Sequence, residues 1–134
     1  MLDETSTMRF STAEPTDRGF RAVRLDAIKR LVLDNLGEPD LTVGKAAAAQ
    51  RVTPRYVQML FEAEGTTFSA FVLGRRLAFA HRMFSDPRLA KRAIGAVALD
   101  AGFGDLSYFN RAFRRAYGET PSDLRNRTLC EARK

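Results

Sequence analysis

The chain has 134 residues, 45% of them hydrophobic, and carries a net charge of +6 with a pI near 10.1. That length holds one compact domain, or two very small ones sharing an element, and the basic balance favours a polyanionic partner. A single cysteine, Cys130, excludes an internal disulfide and a cysteine-rich metal site. A single histidine and the lack of any G-x-G-x-x-G, P-loop or H-E-x-x-H pattern leave no catalytic constellation, so neither an enzyme nor a cofactor is expected.

Residues 1–19 are polar and without periodicity, and read as a flexible tail or the remnant of a linker. They also concentrate acid. Residues 1–20 hold four acids against Arg9 and Arg18, so the rest of the chain carries +8. Most of its cations are arginine, which suits planar contacts to phosphate and guanine. From Phe20 the pattern turns helical, with Val23, Ala27, Leu31 and Leu36 near helical spacing and Gly37 ending the run. A second helix opens at Asp40-Leu41-Thr42, with Thr42 as cap, and runs through Ala46 to Ala49. A third starts at Thr53-Pro54, where threonine caps and proline suits the first turn. Its apolar face is Val57, Leu60 and Phe61.

Thr67 opens a long fourth helix over 67–84, with Val72, Leu73, Leu77, Ala80 and Phe84 at a period of 3.6, stopped by Ser85-Asp86-Pro87. Arg75, Arg76 and Arg82 lie on it. They read as local ion pairs, such as Arg82 with Asp86, and Arg76 as the member of a structural hydrogen-bond network. His81 reads as a surface histidine. A fifth helix covers about 92–101. The sixth follows Gly102 and Asp105, and a short seventh follows Thr120-Pro121. No stretch alternates with period two, so the fold class is all-α with about seven helices.

The sixth helix has two unlike faces. Phe109 and Phe113, i and i+4, suit a core, whereas Ser107, Asn110, Arg111 and Arg114 fall away from them and are side chains that read base edges and grip phosphates. Gly102 suits the sharp turn before a recognition helix, and Asp105 can cap it. Residues 43–63 repeat this plan. Val52 matches Phe103, Val57 matches Phe109 and Phe61 matches Phe113, at a spacing of 51–52 residues with one extra residue in the second turn. Two such units on one chain could meet two half-sites about 34 Å apart, one DNA turn. The 67–84 helix, ~27 Å long at 1.5 Å per residue, would be the spacer.

These residues carry a resemblance. Leu41-Thr42-Val43, Ala47-Ala48, Val52 to Gln58 and Phe61 belong to it, as do Phe68-Ser69, Arg76-Leu77 and Ala80. So do Ala101 to Asp105, Ser107-Tyr108-Phe109, Arg111 to Arg115, Tyr117-Gly118 and Thr120-Pro121-Ser122. Together they resemble the DNA-binding domain of AraC-type (arabinose-regulator-like) transcription regulators over about residues 22–127.

The resemblance implies seven helices in two helix-turn-helix subdomains, 20–66 and 88–128, joined by the 67–84 helix, with 129–134 as a C-terminal tail. It implies sequence-specific binding of double-stranded DNA through successive major grooves. Carried over by position, Arg55, Gln58 and Met59 face bases from the first recognition helix, and Leu106, Ser107, Asn110 and Arg111 from the second. Thr53, Tyr56, Arg114 and Arg115 are assigned to phosphates.

The chain departs from the family pattern in the first subdomain. Arg51 stands where glycine is frequent in the turn, Ala46 where a bulky residue is frequent, and Met59 where arginine is frequent. The loop at 62–65 is one residue shorter. The second subdomain is therefore expected to be the stronger reader. Relatives often carry a sensor or dimerisation domain on the N-terminal side, so this chain is expected to bind DNA as a monomeric unit, dimerising only if such a domain supplies the contact. RNA polymerase is the second candidate partner. No apolar run approaches the ~18 residues of a membrane span, and no signal core opens the chain, so a cytoplasmic protein without a membrane partner is expected. The competing reading is a truncated regulator or protein-interaction module with weak or non-specific DNA binding.

Overall fold

The structure is a computed structural model that describes residues 13–133, with side chains from Arg18 onward. Seven helices and no strand occupy the described residues. They are α1 (Ala13–Asp34), α2 (Val43–Ala49), α3 (Pro54–Glu62), α4 (Phe68–Ser85), α5 (Ile94–Asp100), α6 (Leu106–Tyr117) and α7 (Pro121–Ala132). Their starts are written in local chemistry. The hydroxyls of Thr42, Thr53, Thr67 and Thr120 each accept a backbone N–H three residues on, and the Asp105 carboxylate does the same for α6. Each cap satisfies a donor that the first helical turn leaves without a partner. Thr120 and Asp123 complete a reciprocal capping box.

Two hydrophobic cores share one helix. The first gathers Leu25, Ile28 and Val32 of α1, Ala46 and Ala47 of α2, Val57, Leu60 and Phe61 of α3, and Phe68 and Val72 from the start of α4. The second gathers Leu77, Ala80 and Phe84 from the rest of α4, with Val97, Ala98, Phe103, Phe109, Phe113 and Leu124. Phe61 meets Phe68 edge-on at 5.8 Å, and Phe113 meets Phe84 edge-on at 6.3 Å. All of these rings are buried, and truncating Phe61 or Phe113 to alanine should cost about 3–5 kcal/mol. Because one rigid helix enters both cores, the two helix-turn-helix subdomains are built on a common rod.

Several expectations need correction. Helix α1 extends back to Ala13, seven residues before the expected start at Phe20, so residues 13–19 are not a structureless tail. Residues 1–12 lie outside the described residues. The opening turn of α1 holds Glu14, Pro15 and Asp17, types that suit a helix start but leave no apolar period to read. Its buried stripe is Leu25, Ile28 and Val32, while Phe20 and Val23 are 54% and 70% exposed. At the other end, α7 runs to Ala132 with Thr128 buried, so most of the segment read as a C-terminal tail is helix.

Just past the end of α4, Asp86 pairs with Arg88 at 2.9 Å rather than with Arg82. Arg88 also gives its backbone N–H to that carboxylate, and these bonds hold the Asp86 carboxyl below its usual range. Arg82 instead lies over the Phe79 ring, 6.0 Å from its centre. His81 is half-buried. Its ring lies 4.4 Å from that of Tyr117 and stacks on Phe113 at 6.0 Å, with Ser85 Oγ 3.3 Å from Nδ1.

The expected network around Arg76 is present. Arg76 Nε donates to the Leu36 carbonyl at 3.0 Å, and Nη2 donates to the Glu38 carbonyl at 2.5 Å. Burial pushes this guanidinium below the usual arginine value, though an arginine stays charged.

Candidate nucleic-acid interface

The two helix-turn-helix units are the same device built twice. In the first turn the N–H of Arg51 bonds the Ala48 carbonyl and that of Val52 bonds the Ala47 carbonyl, at 3.1 and 3.0 Å. In the second, Gly102 bonds Leu99 and Phe103 bonds Ala98, both at 3.0 Å. The pairs stand 51 residues apart. Gly104 then adds one residue, so the caps Thr53 and Asp105 stand 52 apart, as the sequence repeat predicts. Both turns need a left-handed residue. Gly102 supplies it at φ 100°, and Arg51 supplies it at φ 59°, the one non-glycine residue with positive φ among those described. A side chain at position 102 would also collide, because an added Cβ would lie 2.5 Å from the Leu36 carbonyl oxygen.

The helical period then decides which side chains face outward. On α3, Val57, Leu60 and Phe61 are buried, which turns Arg55 and Met59 directly outward with Gln58 on one flank. All three are exposed. On α6, buried Phe109 and Phe113 turn Ser107 and Arg111 outward, with Asn110 and Arg114 beside them. These four are exposed, as is Arg115, and Leu106 at the first helical position is 48% exposed.

Not every assigned residue sits alike. Tyr56 is half-buried, and with Met59 it lines a groove of about 400 Å3 between α1 and α3, alongside Leu25 and Leu60. Met59 thus shares itself between the outward face and an apolar seam. Thr53 Oγ1 accepts the Tyr56 N–H at 3.1 Å, which leaves its own hydroxyl hydrogen for an acceptor outside the chain. Glu62 was not singled out by sequence reasoning. It is exposed on the Arg55–Met59 side of α3, and its spacing of seven from Arg55 was the available signal.

Ion pairs hold some of the cations, although Arg51, Arg75, Lys91, Arg125 and Arg133, away from the outward faces, hold none among the described residues. Away from the two outward faces, Lys29, Arg30, Lys45, Arg88, Arg92 and Arg127 each hold a carboxylate, those of Glu64, Asp26, Asp40, Asp86, Asp100 and Glu119. The Lys45 ammonium keeps the Asp40 carboxyl below its usual range. Arg24 donates to the Gln50 carbonyl at 3.2 Å. By contrast, Arg55, Arg111, Arg114 and Arg115 have no ion pair or hydrogen-bonded acceptor for their side chains among the described residues. Unpaired guanidiniums on an exposed face keep all five donors for an external anion. Between the two units lies a cleft of about 560 Å3, bordered by Thr42, Phe68, Ser69, Arg76, Asp105 and Tyr108. The arrangement offers two outward helices of base-reading side-chain types, each behind a tight turn, with free cations on both.

A family model for a helix-turn-helix domain matches residues 46–127, more than half of the chain. The transcriptional activator RhrA of Rhizobium meliloti (strain 1021) is 47% identical over 102 residues, covering 76% of this chain and 32% of that protein. The transcriptional activator NphR of a Rhodococcus species is 37% identical over 101 residues, covering 75% of this chain and 29% of that protein. The chain thus spans about a third of the length of these relatives. Among solved structures, a probable AraC family transcriptional regulator from Rhodopseudomonas palustris CGA009 aligns with a TM-score of 0.70 at 28% identity, covering 78% of this chain and 96% of that one. An AraC-type DNA-binding regulator from Chromobacterium violaceum shares the fold with a TM-score of 0.73 at 24% identity, covering 82% of this chain and 96% of that one. On the matched turns, caps and cores, and on this family match, the chain belongs to the AraC-type helix-turn-helix family of DNA-binding transcription regulators.

Proposed function

We propose that the chain reads one asymmetric promoter site by laying α3 and α6 into successive major grooves. Supporting this is the repeated turn–cap–helix geometry, which ends in an outward face with one unpaired arginine on α3 and three on α6. In this reading Arg55, Gln58 and Met59 meet bases from α3, and Leu106, Ser107, Asn110 and Arg111 meet them from α6. Arginine suits guanine, asparagine and glutamine suit adenine, and Leu106 and Met59 suit a thymine methyl. Thr53, Tyr56, Arg114 and Arg115 hold phosphates and set the register without reading sequence.

One chain carries both helices, so the DNA-binding unit is a monomer. The relatives named as activators make activation the direction we propose, with RNA polymerase as the second partner. No helix among the described residues is long and apolar enough to cross a membrane, and a reader of bacterial promoters works in the cytoplasm. Selection of bound genomic fragments followed by footprinting tests the proposal. The expected footprint has two protected patches about 34 Å, one DNA turn, apart on one face. A single patch, or protection without sequence preference, overturns it.

A further inference from the structure

Beside α4, the loop between α1 and α2 meets the turn of the second subdomain, and the Arg76 guanidinium of α4 lies at that meeting. Arg76 stands near the middle of α4, between the residues that enter the first core, Phe68 and Val72, and those that enter the second, Leu77 to Phe84. Its two donors reach the carbonyls of Leu36 and Glu38, in the loop between α1 and α2 of the first subdomain. The Glu38 carbonyl also accepts the Leu41 N–H at 3.2 Å, so the loop is folded on itself where Arg76 holds it. The other side of the guanidinium lies against the turn of the second subdomain. A Cβ on Gly102 would fall 2.6 Å from Arg76 Nε and 2.5 Å from the Leu36 oxygen. One residue further along the loop, a Cβ on Gly37 would fall 2.9 Å from the Asp100 carbonyl oxygen. Loop, guanidinium and turn are therefore stacked with no room for a side chain. The turn held there is the one that delivers α6.

We propose that Arg76 is a positioning residue that fixes the angle and separation of α3 and α6, and with them the spacing between half-sites that the protein accepts. A rod alone leaves each subdomain free to rock about the end it packs on. The two-carbonyl clamp ties the first subdomain's loop to α4, and the second turn packs on that loop and guanidinium with no room for a side chain, so the three parts fit in one arrangement of a half-buried, charged group. The proposal rests on the two-groove reading given above.

The test uses the full chain and a duplex site recovered by selection, remade with the two half-sites moved apart or together by one and two base pairs. Arg76→Met and Arg76→Lys are compared with the unaltered chain, after circular dichroism shows them folded. The unaltered chain should lose about tenfold or more in affinity on a one-base-pair change, a loss on the scale of a mismatched pair. Arg76→Met should bind the original spacing about tenfold more weakly and show a nearly flat spacing profile, while its affinity for a duplex carrying the α6 half-site alone stays unchanged. Arg76→Lys keeps the charge, cannot reach both carbonyls with a planar fork, and should follow Arg76→Met. Should Arg76→Met not fold, Gly37→Ala reads the same property, since its Cβ must displace the Asp100 carbonyl and should shift the preferred spacing. A spacing profile as steep in the variants as in the unaltered chain overturns the proposal alone. An equal loss on the isolated half-site overturns it too, by showing a general loss of structure. An unaltered chain that binds with no spacing preference overturns the two-groove reading and the proposal together.

Discussion

Arg51 and Gly102 stand at the same step of the two turns, and both hold a positive φ, 59° and 100°. Their costs differ. The arginine bears about 1–2 kcal/mol of left-handed strain, whereas glycine takes the conformation freely. Arg51→Gly relieves that strain but returns about 0.4–1 kcal/mol of freedom to the unfolded chain, so it should stabilise the fold by up to ~1 kcal/mol. Gly102→Ala should do the opposite and cost about 2–4 kcal/mol, since strain adds to a collision with Leu36 and Arg76. Urea denaturation of both variants checks the pair. A destabilised Arg51→Gly would mean that the Arg51 side chain makes a contact worth more than its strain.

Arg111 and Arg114 share the outward side of α6, one turn apart, and should act differently. Arg111→Ala should cost ~1–3 kcal/mol at one base pair and relax specificity there. Arg114→Ala should weaken all sequences alike. Binding to a panel of single-base variants of a selected site distinguishes them. The reverse assignment would place α6 in the groove with another rotation.

The two subdomains should contribute unequally. Asn110 and Arg111 both carry hydrogen-bonding groups for base edges, whereas Met59 stands at the corresponding position of α3 and shares itself with the α1 seam. The double change Asn110→Ala with Arg111→Ala should therefore cost more sequence-specific affinity than Arg55→Ala with Gln58→Ala, compared at one salt concentration. An equal or larger loss from the α3 pair would make Arg55 and Gln58 the principal readers.

Local chemistry was legible in the chain. The caps at Thr42, Thr53, Asp105 and Thr120, Pro54 in a first turn, and the extra residue at Gly104 each act within four residues, so the sequence displays them directly. The buried face of α1 was not legible. Val23, Ala27 and Leu31 keep a helical spacing as Leu25, Ile28 and Val32 do, and packing on α2 and α3 chooses the second stripe, with Leu31 at its edge. The length of α1 was hidden because its first turns are polar. The choice of Arg88 over Arg82 as partner of Asp86 depends on a loop whose backbone also binds that carboxylate. Arg76 was readable as a structural residue, but its acceptors lie 40 and 38 residues away, beyond any local pattern. The outward faces of α3 and α6 followed from the helical period once the core aromatics were identified.

The salt dependence of binding to a selected duplex tests the central claim most directly. The +8 charge carried beyond residue 20, with Arg114 and Arg115 on α6, should displace condensed counterions from about five to eight phosphates, so log affinity should fall against log salt with a slope of roughly −4 to −7. A slope near zero would contradict the account, because no duplex could then be held by these faces.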